Sequence, residues 1–166
     1  MRAWIKYTLM FAVLVLLQVL LLNQIHLGGF LNPYIYILFI LVLPISMPQY
    51  QVLILSFLIG ITVDWFSNTL GLHAASAVLI GFLRSQIMKL ITIREIEQSD
   101  YPGLKQTGIN WFLTYVSVLV VTHHLFLFYL EVFTFDNFFR TLLRALLSSV
   151  FTIVIIVLSQ YLVFRK

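Results

Sequence analysis

Cysteine is absent from this 166-residue chain, and charge is scarce. Without thiols there is no disulfide, thiolate metal site, iron–sulfur cluster or cysteine nucleophile. Charged residues make up 10% of the chain, where a soluble domain carries about 25%. So few charges cannot cover a water-facing surface. Also missing are a G-x-S-x-G elbow, an H-E-x-x-H zinc helix and a glycine-rich phosphate loop. Only one aspartate, Asp64, approaches the middle of an apolar run, so a catalytic pair of membrane-depth aspartates is lacking too. Nothing in this inventory calls for an enzyme, a metal or a cofactor.

What is present is hydrocarbon. The chain is 61% hydrophobic and 16% aromatic, with a mean hydropathy of +1.03. Its solvent must be mostly lipid, where the backbone has to satisfy its own hydrogen bonds as helices or as a closed barrel. Barrel strands alternate apolar and polar residues. Here the runs are continuous, as in LMFAVLVLLQVLLL, so the fold class is all-α. At about 20 residues per span the chain is one integral membrane domain, 1–166, a polytopic bundle of about six transmembrane helices.

The expected spans are Ala3–Leu22, Pro33–Met47, Gln51–Phe66, Leu72–Thr92, Ile109–Leu130 and Thr141–Phe164. Arg2 and Lys6 precede an apolar run in the manner of a signal peptide. No small-x-small cleavage site follows that run, which reads as an uncleaved first helix. Asn32-Pro33 suits a helix start. Pro44 is expected to kink the second helix and Pro48 to help end it. Ser67–Gly71 is a turn by composition. The one markedly polar stretch is REIEQSDYPGLKQTG, Arg94–Gly108.

Six spans put both termini on one side. Arg2, Lys6, Arg84, Lys89, Arg94, Lys105, Arg165 and Lys166 then share or lean towards that side, and only Arg140 and Arg144 fall opposite. Basic residues concentrate in the cytoplasm, so cytoplasmic termini are expected. The net charge of +4 is explained by this orientation, and nucleic-acid binding does not follow from it.

The most particular stretch is Gly60–Arg84, GITVDWFSNTLGLHAASAVLIGFLR. Ser56, Gly60 and Asp64 recur every four residues on the third helix; His73, Ala77, Gly81 and Ser85 do so on the fourth. Small residues at that spacing let two backbones approach closely. A tight hairpin is expected, with Asp64 and His73 facing each other at its outer end. Ionisable groups at membrane depth usually have a partner or a task, although two polar caps on ordinary small-residue packing would look the same. Arg84, about 16 Å further along the helix than His73, is expected to snorkel to the cytoplasmic headgroups.

Arg140 and Arg144 stand one turn apart at the outer start of the last helix. They suit pairing with Asp64, Glu131 or Asp136, or equally the binding of lipid phosphates. His123 and His124 point about 100° apart on their helix. With His26, His73 and Asp64 they lack the spacing of a zinc site. Phe126, Phe128, Phe133, Phe135, Phe138 and Phe139 crowd the connection to the last helix. They are either headgroup anchors or a protein-binding patch.

Gly60-x3-Asp64, then Leu70-Gly71-Leu72-His73-Ala74, then Gly81-Phe82-Leu83-Arg84, resembles the MreD family of rod shape-determining proteins. Leu31-Asn32-Pro33 followed by Tyr34-Ile35-Tyr36 also looks like that family's entry into its second helix. The resemblance implies a non-enzymatic component of the bacterial inner membrane that supports lateral peptidoglycan synthesis and cell shape. Implied partners are MreC, a single-span periplasmic coiled-coil protein, and MreB filaments. The elongation penicillin-binding transpeptidase and the RodA glycosyltransferase are implied directly or through MreC. It implies a bundle similar to the substrate-binding subunits of energy-coupling-factor vitamin transporters. Gly60, Asp64, Gly71, His73, Ala77, Gly81, Arg84, Arg140 and Arg144 are then the candidates for shaping the fold or the partner surface. The alternative is a small-ligand transport subunit or ligand sensor, marked by an outward polar cavity lined by Asp64, His73, Arg144 and aromatics.

A chain solvated this way should leave cells only with detergent or bilayer. Ultracentrifugation of a detergent-free lysate is expected to leave no monomer in the supernatant.

Overall fold

The structure is a computed structural model that describes residues 2–24, 31–91, 100–133 and 137–163. Its helices are α1 (Arg2–Leu20), α2 (Ile37–Leu41), α3 (Gln49–Ser67), α4 (Leu72–Ile91), α5 (Leu104–Thr107), α6 (Ile109–Val132) and α7 (Phe138–Val163), with a 3-10 turn at Leu22–Gln24 after α1. Five of them, α1, α3, α4, α6 and α7, are long and apolar enough to cross a membrane. The chain is therefore a helical bundle suited to multiple membrane crossings. Their bounds lie within a few residues of those expected from the sequence. The expected helix ends at Thr92 and Phe164, the chain termini Arg165-Lys166, and residues 94–99 of the polar stretch lie outside the described residues.

The sixth expected span is a correction. Pro33–Met47 is not a spanning helix. Only Ile37–Leu41 is helical, and the chain on either side is irregular. Length gives one reason. As an α-helix these residues would rise only about 22 Å, short of the roughly 30 Å of hydrocarbon; extended chain covers more distance per residue. Proline gives another. Pro44 lacks an N–H and disfavours helical geometry at Leu43 before it, so the helix stops at Leu41 rather than kinking. Pro48 then serves as the N-cap of α3, not as the end of a preceding helix.

The segment nonetheless runs the length of the bundle. Its Asn32 end hydrogen-bonds Ser148 on α7, near the α3–α4 turn, which Asn23 ties to the end of α1 through Ser67 Oγ at 2.8 Å. Its Ile45 N–H donates to Asp100 O at 3.0 Å. At that opposite end Lys6 Nζ lies 5.1 Å over the Tyr101 ring, and Gln160 of α7 packs beside Gly103. We call these the hairpin end and the terminal end. The start of α1 and the far part of α7 share the terminal end.

Tyr36–Leu41 and Leu43 form the centre of the core. A backbone that is not helical needs partners at this depth, and in membranes it is tolerated only where protein surrounds it. The surrounding helices supply those partners as side chains. Gln18 of α1, fully buried, accepts from Ile35 N–H at 2.8 Å and donates to Pro33 O at 3.1 Å. Thr152 of α7 accepts from Tyr34 N–H at 3.1 Å. Tyr115 of α6 donates to Leu41 O at 3.0 Å.

The α3–α4 hairpin is the tightest helix pair. A Cβ on Gly60 would stand 2.5 Å from Ala74 Cα and 2.7 Å from His73 O, and one on Gly81 would collide with Ser56. The turn between the helices needs Asn68 at φ 54° and Gly71 at φ 83°, backbone conformations that asparagine and glycine tolerate best.

Gln18→Leu is expected to destabilise the protein even though leucine is the more lipid-soluble side chain. Each orphaned backbone group should cost about 1–3 kcal/mol. Thermal unfolding in detergent checks this; an unchanged or higher Tm would contradict the role given to Gln18.

Candidate functional site

The residues singled out in the sequence separate into a buried lattice and a cavity. Asp64, on the last turn of α3, reaches across to the first turn of α4. Its Oδ1 accepts from His73 N–H at 3.0 Å, His73 Nδ1–H at 3.0 Å and Thr69 Oγ1–H at 2.5 Å. Its Oδ2 accepts from Ala74 N–H at 2.8 Å. α4 begins without a cap of its own, and the carboxylate supplies one from the neighbouring helix. Anionic acceptors are favoured there because the first N–H groups of a helix have no internal partner. Asp64 and His73 do meet at one end of the hairpin. The carboxylate is buried behind the histidine, committed to the protein's own donors.

Behind His73 lies a cluster of rings. Tyr34 stands 5.2 Å from His73 and 5.3 Å from His124, centroid to centroid. Tyr36 O–H and His123 Nε2 are 2.6 Å apart. His124 Nδ1–H donates to Val120 O at 2.8 Å, which leaves Nε2 to accept from Thr152 Oγ1–H at 3.2 Å. The two adjacent histidines thus take separate partners. Among the described residues no group of three His, Cys, Asp or Glu side chains is placed to hold a metal. His26 lies outside the described residues.

Arg84 corrects an expectation. It does not snorkel to the headgroups but is buried at 2% exposure. Nε donates to Tyr115 O–H at 3.1 Å, and Nη2 donates to Leu43 O and to Pro44 O, the latter at 3.3 Å. These acceptors follow the end of α2, where outward carbonyls concentrate negative potential. A planar, always-charged fork of donors suits several acceptors at once. Of the other small residues, Ala77 is buried on the α4 face and Gly81 rests on Ser56. Gly71 makes the turn.

Arg144 pairs with Glu131 and not with Asp64. Nη1 lies 3.1 Å from Oε2, and Nη2 donates to Oε1 at 3.4 Å. Its guanidinium sits 4.3 Å over the Phe128 ring. The Asn32 amide oxygen, correctly oriented, accepts from Nη2 at 2.6 Å and from Nε at 3.1 Å. Arg140 is exposed at the start of α7, and Asp136 and Phe135 lie outside the described residues.

These groups line a cavity of about 290 Å³ at the hairpin end. Tyr34 and His73 belong to its buried part, while Asn23, Asn32, Ser67, Glu131 and Arg144 bring amides, a hydroxyl and an ion pair to it. Asp64, expected among its walls, is not one of them. A second, larger recess of about 670 Å³ runs between α4 and α6, lined by Leu79, Leu125, Phe126, Leu130 and Phe133 with Thr122 and Tyr129. Its apolar walls suit hydrocarbon. The hairpin-end cavity has the chemistry to hold a small polar molecule.

The sequence assigned no bonding role to Gln18 or Tyr115, and placed Tyr34 and Tyr36 only within the resemblance at Leu31–Tyr36. Gln18 carried a usable signal as the one polar residue in LMFAVLVLLQVLLL; buried polar groups in membrane helices imply a partner. Tyr115 carried none, tyrosine being common in apolar runs.

Compared with known proteins, the chain matches no family model, no curated protein and no solved structure.

Arg84→Met should leave Leu43 O, Pro44 O and Tyr115 O–H without their donor, at about 1–3 kcal/mol for each bare acceptor. Arg84→Lys should restore only part of the loss, since one ammonium lacks the fork. Melting temperatures of both variants in detergent measure this. A lysine variant as stable as the parent would fit a snorkelling role and contradict the burial described.

Proposed function

We propose that this chain is a non-enzymatic membrane scaffold of the bacterial lateral cell-wall elongation complex, a protein of the MreD kind. It sits in the cytoplasmic membrane with both termini inside, binds MreC, and supports the transpeptidase and RodA directly or through MreC. The observation that carries this reading is the role of the residues behind the resemblance. Gly60, Asp64, Gly71, His73, Ala74, Gly81 and Arg84 are the ones that close the α3–α4 hairpin, cap α4 and clasp the buried segment. Structural roles of this kind are ones that a common fold would preserve, and they support the resemblance. Orientation is supported by the basic residues of the terminal end, Lys6 and Lys105 among them.

The hairpin end carries exposed apolar side chains. Leu70 is fully exposed, and Trp65, Phe66, Phe133 and Phe139 are largely so. They suit contact with the membrane-proximal part of a single-span partner. A second reading, a ligand-binding transport subunit or sensor, draws support from the polar cavity.

In-cell photo-crosslinking from position 70 or 133 is expected to capture MreC, with little capture from position 90 at the terminal end. Failure to recover MreC both from these crosslinks and from detergent extracts of tagged protein would sink the scaffold reading.

A further inference from the structure

The cavity's charged walls narrow what it can hold. Glu131 and Arg144 are its two charged lining residues, and they cancel. Their side chains are 41% and 24% exposed, so they form the wetter side, while Tyr34 and His73, at 8% and 5%, form the dry side. Arg144 is held in place from three directions, by Glu131, by Asn32 and by the Phe128 ring. The ion pair is therefore a fixed dipole on the wall of a small cavity.

A monoanion entering this space would gain Arg144 and meet the repulsion of Glu131; a monocation would do the reverse. Each would also carry a net charge out of water into a site with no net charge to meet it, which is costly. A molecule carrying both charges avoids both penalties. Laid antiparallel to the wall dipole, its acid group faces the Arg144 guanidinium and its ammonium faces the Glu131 carboxylate, with the pair left intact. The amides of Asn23 and Asn32 and the hydroxyl of Ser67 offer further hydrogen bonds. At about 290 Å³ the cavity lies just below the roughly 300–1,000 Å³ usual for pockets that hold drug-sized ligands, which suits a smaller molecule.

We propose that the hairpin-end cavity is a binding site for a compact, net-neutral zwitterion bearing a primary ammonium beside an acid group. The inference rests on the ligand-binding reading of this cavity and does not require the scaffold reading. Two sources share this chemistry. One is a free amino acid. The other is the phosphoethanolamine head of a membrane lipid.

The test uses the full chain and thermal unfolding, since a ligand that binds only the folded state raises Tm with its concentration. In detergent the probes are glycine and alanine, with acetate, ethylamine and glycerol as single-charge and neutral controls. In nanodiscs, phosphatidylethanolamine is compared with phosphatidylcholine, whose quaternary ammonium has no N–H for Glu131. A rise in Tm with glycine or alanine and not with the controls identifies a free zwitterion. A rise confined to phosphatidylethanolamine identifies the headgroup. In either case Glu131→Gln is expected to weaken binding about ten- to a hundredfold, the usual cost of losing one charged hydrogen bond. Arg144→Lys, which keeps the charge and loses the fork, serves as the second variant should Glu131→Gln not fold. Equal shifts from acetate, ethylamine or glycerol, or shifts that survive both variants, would overturn the zwitterion while leaving a ligand site standing. No shift from any probe would remove the ligand-binding reading as well.

Discussion

An irregular stretch of backbone lies mostly buried inside the bundle, and most of the structure follows from meeting its needs. Between Asn32 and Ile45 the chain crosses the bundle with only one short helix to satisfy its own N–H and C=O groups. Hydrocarbon offers no hydrogen bonds, so every open group must be met by protein. The long helices therefore carry polar side chains at matching heights: Ser148 and Thr152 near the hairpin end, Gln18 beside them, Tyr115 and Arg84 further along, and the Asp100 carbonyl at the terminal end. The partners occur in the order in which the segment passes them.

This changes what an ionisable residue at membrane depth signifies here. Arg84 looks functional in a sequence because a guanidinium in hydrocarbon is expensive. In the bundle it is surrounded by carbonyl oxygens and a phenol, and its charge is spent on backbone. Asp64 serves the same need at the start of α4, where the exposed groups are N–H donors and the answer is an anion. Cation at a set of carbonyls and anion at a set of amides is the pattern expected of helix ends. Neither residue is left over to act on a ligand, and neither lines the polar cavity.

The legible part of the fold was the part that faces lipid. A helix with one side in hydrocarbon must be long, continuous and internally bonded, and α1, α3, α4, α6 and α7 announce themselves by those properties. The small-residue stripe that brings α3 against α4 was equally readable, because close approach leaves its mark in Gly60 and Gly81. The segment after Pro33 was misread as a helix because hydropathy measures what a residue can be buried in, not which backbone shape buries it. Tyr34 through Leu41 are buried inside the bundle, and a run enclosed in this way shows no periodicity that would separate its one short helix, Ile37–Leu41, from the irregular chain around it. Arg84 was misread for the same reason: its partners are carbonyl groups, which every residue has. The pairing of Arg144 with Glu131 rather than Asp64 depended on whether Asp64 was already occupied, and that is decided by the geometry of the α3–α4 turn.

The same division explains why the polar cavity sits where it does. At the terminal end the buried segment leaves the core through Pro44 and Pro48 straight into α3, and the Asp100 carbonyl, ahead of α5, closes against it at Ile45. At the hairpin end the segment enters the core between α1 and α7 as irregular chain, before α2 begins. The gap left beside it is walled by what the bundle already keeps there: the side chains that meet the segment's first residues, the histidine that rests on Asp64, and the ion pair that joins α6 to α7. The polar cavity thus lies where irregular chain, and not a spanning helix, stands beside α1 and α7, and the Arg144–Glu131 ion pair supplies the charges on its wall.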